Sequence, residues 1–248
     1  MKIVTILKQV PDAEARVRAK DGVLALEGTT FVIDGMDEYG VEHALRLREA
    51  GAEAEIVAVG YGPPATEHAL RSALALGADR AVLLEAEAPA DPLAVAVALA
   101  DLIRELEADL VLTGGKQADW DSAALGPAVA EALGWPHVDW TTAFRLEGER
   151  FEAVHDIDDG SETVRGNLPV VITTQQGLNE PRYPTLPNIM KAKRKPLEVR
   201  PLAMEAVGTT TRSYAVIARE RRRVVLDGDA PSATAELVRR LRDEAMVL

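Results

Sequence analysis

Five short apolar runs, Ile3 to Leu7, Ala54 to Val59, Ala81 to Leu84, Leu110 to Thr113 and Val170 to Thr174, punctuate the chain. None alternates like a half-solvated strand; each reads as a strand covered on both faces, as parallel sheets require. Between them lie helix-period segments, Glu38 to Ala50, Ala65 to Leu76, Pro92 to Leu106 and Ser122 to Leu133, the third carrying the stripe Val95, Leu99, Leu102, Ile103 and Leu106. Asp91 before Pro92 reads as an N-cap with proline at the first helical position, and Gly51, Gly77 and Gly134 sit where left-handed C-caps belong. The alternation predicts an α/β fold: a doubly wound, mostly parallel, Rossmann-like sheet with right-handed crossovers.

The pattern changes after Trp140. Phe144 to Leu146, Phe151 to His155 and Glu162 to Arg165 read as antiparallel strands joined at Glu147-Gly148 and Asp159-Gly160, an antiparallel hairpin insertion near residues 142–166. Leu178 to Arg194 is different again. Prolines at 181, 184 and 187 remove backbone donors while Leu178, Tyr183, Leu186, Ile189 and Met190 are interleaved with them, so the stretch reads as neither helix nor strand but as a long, partner-facing loop. Leu197 to Ile217 shows no period, and Ala233 to Arg242 reads as a terminal amphipathic helix. The expected organisation is an α/β domain over 1–177, a loop over 178–195 and an extended C-terminal arm over 196–248.

With 248 residues, 47% of them hydrophobic, the chain can bury a substantial core. A net charge of -12 argues against a general nucleic-acid or anionic-membrane binder, although Lys191, Lys193, Arg194 and Lys195, and later Arg219 and Arg221 to Arg223, form basic clusters suited to a solvated face or an acidic partner. The absence of cysteine rules out disulfides, thiolate metal sites, iron-sulfur clusters held by this chain and thiol redox chemistry. Any electron chemistry must use a bound cofactor. Met1-Lys2 leads into an apolar run too short for a signal peptide, and no run reaches membrane-spanning length, so the expectation is a cytoplasmic protein with no membrane insertion.

In a doubly wound sheet ligands bind at the carboxyl ends of strands, which makes Lys8 to Asp12, Gly60 to Pro64 and Gly114 to Asp121 the informative loops. In the last, glycines permit close approach, amides near the start of the following helix can hold a phosphate, and Lys116 adds a charge. Gly-Gly-Lys-Gln is no P-loop, so the pattern leaves phosphate binding and a simple tight turn both open. Asp156, Asp158, Asp159 and Glu162 fail the EF-hand spacing and read as turn chemistry. His43, His68, His137 and His155 are scattered without metal-ligand spacing, His43 and His68 being expected on helix surfaces. No nucleophile elbow or general-base pair is present.

Leu178-Asn-Glu-Pro-Arg-Tyr183 followed by Leu186-Pro-Asn-Ile-Met-Lys-Ala192 closely resembles the recognition loop of the beta subunit of electron transfer flavoprotein. Ala153 to Thr173 is similar to that family's signature, departing at His155 where Lys or Arg is usual, and Lys8-Gln9-Val10, Gly77-Ala78-Asp79-Arg80, Gly115-Lys116-Gln117 and Trp135-Pro136 extend the likeness over nearly the whole chain. The resemblance implies a non-enzymatic electron carrier in a heterodimer. FAD would lie at the subunit interface, held mainly by the alpha subunit, with the segment after Asp12 facing it; here that residue is Ala13, where some members carry an aromatic. Electrons would come from acyl-CoA and related flavin dehydrogenases, as in fatty acid oxidation, and leave to a quinone-linked flavoprotein oxidoreductase. It also implies a bound AMP, whose contacts carry over to Ile6, Asp34, Gly35, Met36, Asp37, Tyr61, Gly115, Lys116, Gln117, Ala118, Asp119, Trp120, Asp121, Ser122, Ala123, Ala124 and Leu125. Asp34 replaces a frequent Asn, Tyr61 also reads as a partly exposed loop aromatic, and the Ala118 to Leu125 stretch is one residue shorter than in mitochondrial-type members. Partner contacts carry over to Leu178, Tyr183, Leu186, Pro187, Ile189, Met190 and Lys191. Two alternatives stay open: a bifurcating-type subunit with a second FAD in place of AMP, and a nucleotide-hydrolysing enzyme of the ATP-pyrophosphatase or universal-stress type. Against the last, Lys8-Gln9-Val10-Pro11-Asp12 stands where a Ser-Gly-Gly-x-Asp-Ser loop belongs.

Overall fold

The computed structural model describes residues 1–15, 17–86, 91–202, 209–217 and 223–247. Strand β1 (Lys2–Leu7) is followed by β2 (Gln9–Pro11), the hairpin β3 (Arg18–Lys20) and β4 (Val23–Ala25), β5 (Phe31–Ile33) and helix α1 (Gly35–Glu49). Then come β6 (Glu55–Gly62), a 3-10 turn at Pro64–Thr66, α2 (Glu67–Leu76), β7 (Arg80–Glu85), α3 (Pro92–Glu105), β8 (Leu110–Gly114) and α4 (Leu125–Leu133). The chain continues through β9 (His137–Glu147), β10 (Arg150–Ile157), β11 (Gly160–Asn167), β12 (Val170–Thr174), α5 (Leu186–Ala192), β13 (Leu197–Pro201) and α6 (Ala230–Asp243).

Nine strands form one sheet in the order β11-β10-β9-β12-β8-β1-β6-β7-β13. It is parallel from β9 to β13, and β10 runs antiparallel to both β9 and β11. This is the doubly wound, Rossmann-like α/β architecture the alternation predicts. All five apolar runs are strands because their side chains are taken by cores on both faces. In β1, Ile3 and Leu7 join the core under α1 and α2 while Val4 and Ile6 join the core under α3 and α4. The caps behave as their chemistry dictates: the Asp91 side chain accepts from the Leu93 amide, and Gly134 closes α4 in the left-handed conformation at φ 72.

Several expectations change. β9 begins at His137, ahead of Trp140, and its first half pairs in parallel with β12, so the hairpins continue the main sheet. Their register shift near Trp140 (φ 42) masks the strand from a two-residue pattern. The stretch read as structureless contains α5, because Thr185 caps Asn188 and Pro187 falls in the first turn, where its missing donor costs nothing. The helix read from Ser122 starts at Leu125, since Asp121 and Ala123 adopt positive φ. β13 pairs with β7 at the sheet edge, so the segment read as the start of the arm extends the main sheet, and Leu202 still donates to the Glu85 carbonyl. Arg219, Arg221 and Arg222 of the second basic cluster lie outside the described residues.

His68 is exposed as expected, but His43 is buried on the inner side of α1, edge-on to Phe144 with ring centroids 5.5 Å apart. Phe144 stacks in turn on Phe151, fastening α1 to the antiparallel strands. Among the described residues no helix is long and apolar enough to cross a membrane.

Candidate functional site

The carboxyl ends of β1 and β8 lie side by side where successive crossovers reverse direction, the switch point at which doubly wound sheets open a crevice. Asp34 caps α1 there. One carboxylate oxygen accepts from the Met36 amide at 2.9 Å and the other from the Ala118 amide at 2.7 Å, so one side chain fixes both the helix start and the loop after β8. The capping and loop-contact roles therefore coincide. Asp37 is fully buried and accepts from the Lys8 amide at 2.8 Å and the Gly114 amide at 2.6 Å, tying the two strand ends to α1. Burial, then the Asp34 charge, pushes its carboxyl well up, and the two amides and the Lys8 ammonium oppose that.

Lys8, absent from the sequence-derived contacts, stands at the centre. Its ammonium contacts the Asp119 carboxylate at 2.7 Å and lies 3.3 Å from the centre of the Trp120 ring. Burial lowers its pKa, while the Asp119 charge and hydrogen bond raise it. Its signal in the sequence was position: a lysine directly after a buried parallel strand. Trp120 in turn leans on Tyr61, centroids 5.7 Å apart. Tyr61 is buried at the end of β6 rather than exposed in a loop, because that strand runs on to Gly62. Its hydroxyl has no partner among the described residues, and burial pushes its pKa well up.

The loop after β8 carries the unusual backbone. Asp121 and Ala123 have φ of 51 and 52, with Ala124 right-handed at φ -93, an alternation that turns successive amides toward one concavity. Non-glycine residues hold such conformations only when the surroundings impose them, and they cluster at ligand sites. The amides of Ser122, Ala123, Ala124 and Leu125 have no acceptor among the described residues. Beside them the Gln117 side chain is 1% exposed, with both amide atoms unpartnered among the described residues. Lys116 pairs with Asp121 at 2.5 Å. Gly115 is required by the Trp140 ring, which a Cβ would approach to 3.0 Å. Ile6 keeps its side chain in the core, and Gly35 and Met36 form the first turn of α1.

A second feature is the segment 178–195. Leu178 packs inward on the core, whereas Tyr183, Leu186, Pro187, Ile189, Met190 and Lys191 are exposed, Leu186 to 78%. The ridge is bolted at both ends. Arg182 reaches Glu42 at 2.7 Å and Glu49 at 2.5 Å, and Asn179 donates to the Tyr39 carbonyl at 2.9 Å. Past α5, Arg71 donates to the Ala192 and Lys195 carbonyls while Lys195 donates to those of Leu74 and Ala78. Burial would raise the Glu42 carboxyl, but Arg182 and Arg46 hold it below the usual range. Arg182→Met is expected to destabilise the protein by about 1–2 kcal/mol, less than a fully buried pair because Arg46 still serves Glu42 and the guanidinium is partly solvated. Thermal melts with limited proteolysis check this: cleavage between 180 and 186 should accelerate, and an unchanged digestion rate counts against the clamp.

Sheet order, paired crossovers and the switch-point crevice make this an α/β protein of the doubly wound, Rossmann-like class. The sequence pattern of the electron transfer flavoprotein domain matches residues 21–204. The chain is 38% identical over 253 residues to the electron transfer flavoprotein subunit beta of Bradyrhizobium diazoefficiens and 34% over 259 residues to that of Bacillus subtilis, each alignment covering 100% of both chains. It is 36% identical over 250 residues to the subunit beta of Sus scrofa, covering 98% of this chain and 97% of that one. The chain belongs to the electron transfer flavoprotein family, on the side of its beta subunits.

Proposed function

We propose that the chain is the beta subunit of a heterodimeric electron transfer flavoprotein, a cytoplasmic carrier that holds a structural AMP and shares an FAD held mainly by an alpha subunit. The observation that carries the nucleotide is the concave row of unpartnered amides at 122–125 beside the orphaned Gln117 amide, the donor set a phosphate requires. The α4 N-terminus supplies positive potential, Lys8 and Lys116 add ammonium groups already paired with Asp119 and Asp121, and Asp34 and Asp37 fix the walls. The flavin supplies the one- and two-electron chemistry. This chain contributes position: exposed Phe31, Val32, Val216 and Ile217, together with α6, which buries none of its residues within this chain, suit an apolar contact with the alpha subunit. The ridge around Leu186 suits docking of acyl-CoA and related flavin dehydrogenases, with a quinone-linked flavoprotein oxidoreductase as acceptor.

Co-purification with the alpha subunit, then denaturation and mass analysis of released nucleotides, tests this reading. One FAD and one AMP per heterodimer are expected. Two FAD and no AMP would favour the bifurcating-type reading, and turnover of ATP by the isolated chain would favour the hydrolase. Ala123→Val forces a β-branched residue to a φ of 52, at a cost of about 1–2 kcal/mol, and should lower AMP content without lowering FAD. A nucleotide bound only to the native state adds about 2.7 kcal/mol at a hundredfold excess over its Kd, so the AMP-depleted variant should also melt earlier. Gly115→Val would not serve, because its side chain strikes Trp140.

A further inference from the structure

The segment that presents Leu186 also walls a cavity of about 390 Å³ between the first turn of α1, the outer side of α2 and residues 181–184. Ile33, Leu76, Pro181 and Pro184 make its apolar sides, and Glu38 is the carboxylate in it. Glu38 is half-buried, and no cation or hydrogen-bond donor among the described residues serves it. Burial and the neighbouring Asp34 charge push its carboxyl up, the signature of an anion held without a counter-charge. The cation in the wall is already committed: the Arg182 guanidinium makes four contacts to Glu42 and Glu49, between 2.5 and 3.1 Å. The Ser72 hydroxyl donates to the His68 carbonyl and so faces the cavity as an acceptor.

Apolar walls around an uncompensated acceptor match a side chain with an aliphatic stem and a cationic head. We propose that this cavity receives a lysine or arginine side chain of the electron-donating protein, paired with Glu38 while Leu186 docks beside it. The inference rests on the docking reading above. Its support is charge complementarity, since a chain of net charge -12 steers toward basic surfaces, and continuity, since Tyr183 and Pro184 form both the rim of the cavity and the start of the exposed ridge. Exposed Lys191 and Lys193, at the C-terminal end of α5, give the surface a second pole, so a partner charged in the opposite sense at each end docks in one orientation.

The test uses the purified heterodimer with a substrate-reduced acyl-CoA dehydrogenase as donor. Glu38→Gln keeps the shape and removes the charge. It should raise KM roughly tenfold, the size of one partly desolvated charged hydrogen bond, with kcat and FAD content unchanged, Tm unchanged or raised because an uncompensated charge is lost, and a flatter dependence of KM on salt. An unchanged KM while Leu186→Ala remains impaired overturns the cavity and leaves the docking surface standing. Normal kinetics for both variants overturns the docking reading with it.

Discussion

Leu186→Ala in the assembled heterodimer is expected to slow reduction by the donor dehydrogenase roughly thirtyfold, with FAD content and Tm unchanged. The residue is 78% exposed at the first turn of α5, flanked by Pro187 on a segment fastened to α1 by Arg182 and to α2 by Lys195 and Arg71. A side chain that solvent already covers contributes little to the fold, so truncation should not lower Tm. An apolar anchor entering a partner's pocket is another matter: truncating a central contact commonly costs about 2 kcal/mol or more, and a preorganised ridge has little entropy left to lose on docking. Stopped-flow reduction under pseudo-first-order conditions reads the effect alongside a melting curve. A fall in Tm with reduction near normal would mean that Leu186 works inside its own fold.

The second large effect is a pH dependence placed by His43. Burial against Phe144, then the charge of Arg46, lowers its pKa from the ordinary value near 6.5 to about 4. The folded protein therefore keeps the ring neutral over a range where the unfolded chain binds a proton. The sign follows: His43 has no destabilising effect above pH 6.5, and stability falls as pH drops from about 6.5 toward 4, by up to about 3 kcal/mol in all. Asp34 and Asp37, whose folded pKa values are raised, act with the opposite sign over acidic pH. The informative quantity is therefore the difference between the parent and His43→Leu. Urea unfolding at pH 7.5 and pH 5 should give a difference between the two pH values about 2 kcal/mol smaller in the variant. Parallel curves would show that the ring is solvated or charged in the fold.

Leu186 and His43 were not equally legible in the sequence. Leu186 was visible as an apolar residue locked between prolines, because proline chemistry is local. That it crowns a helix required noticing Thr185 and Pro187 as a cap and first turn. His43 was misplaced as a surface residue because a polar side chain at the margin of a helical stripe is ambiguous by period alone; the nearby strands β9 and β10, remote in sequence, bury it.

The sequence by itself determined the alternation of buried strands and striped helices, the caps at Asp91 and Gly134 and the parallel sheet that follows. These depend on the nearest few residues and on whether a run is apolar throughout. The likeness of Leu178 to Ala192 placed the chain in its family for the same reason. Only the tertiary structure decided that β9 starts in parallel beside β12, that β13 belongs to the sheet, and that Lys8, Asp34, Asp37, Asp119 and Trp120 meet in one crevice. It also left the Glu38 carboxylate in a cavity where no cation among the described residues pairs with it. Those facts arise from pairings between residues tens of positions apart, where burial, charge and hydrogen bonding are set by what the crossover brings alongside.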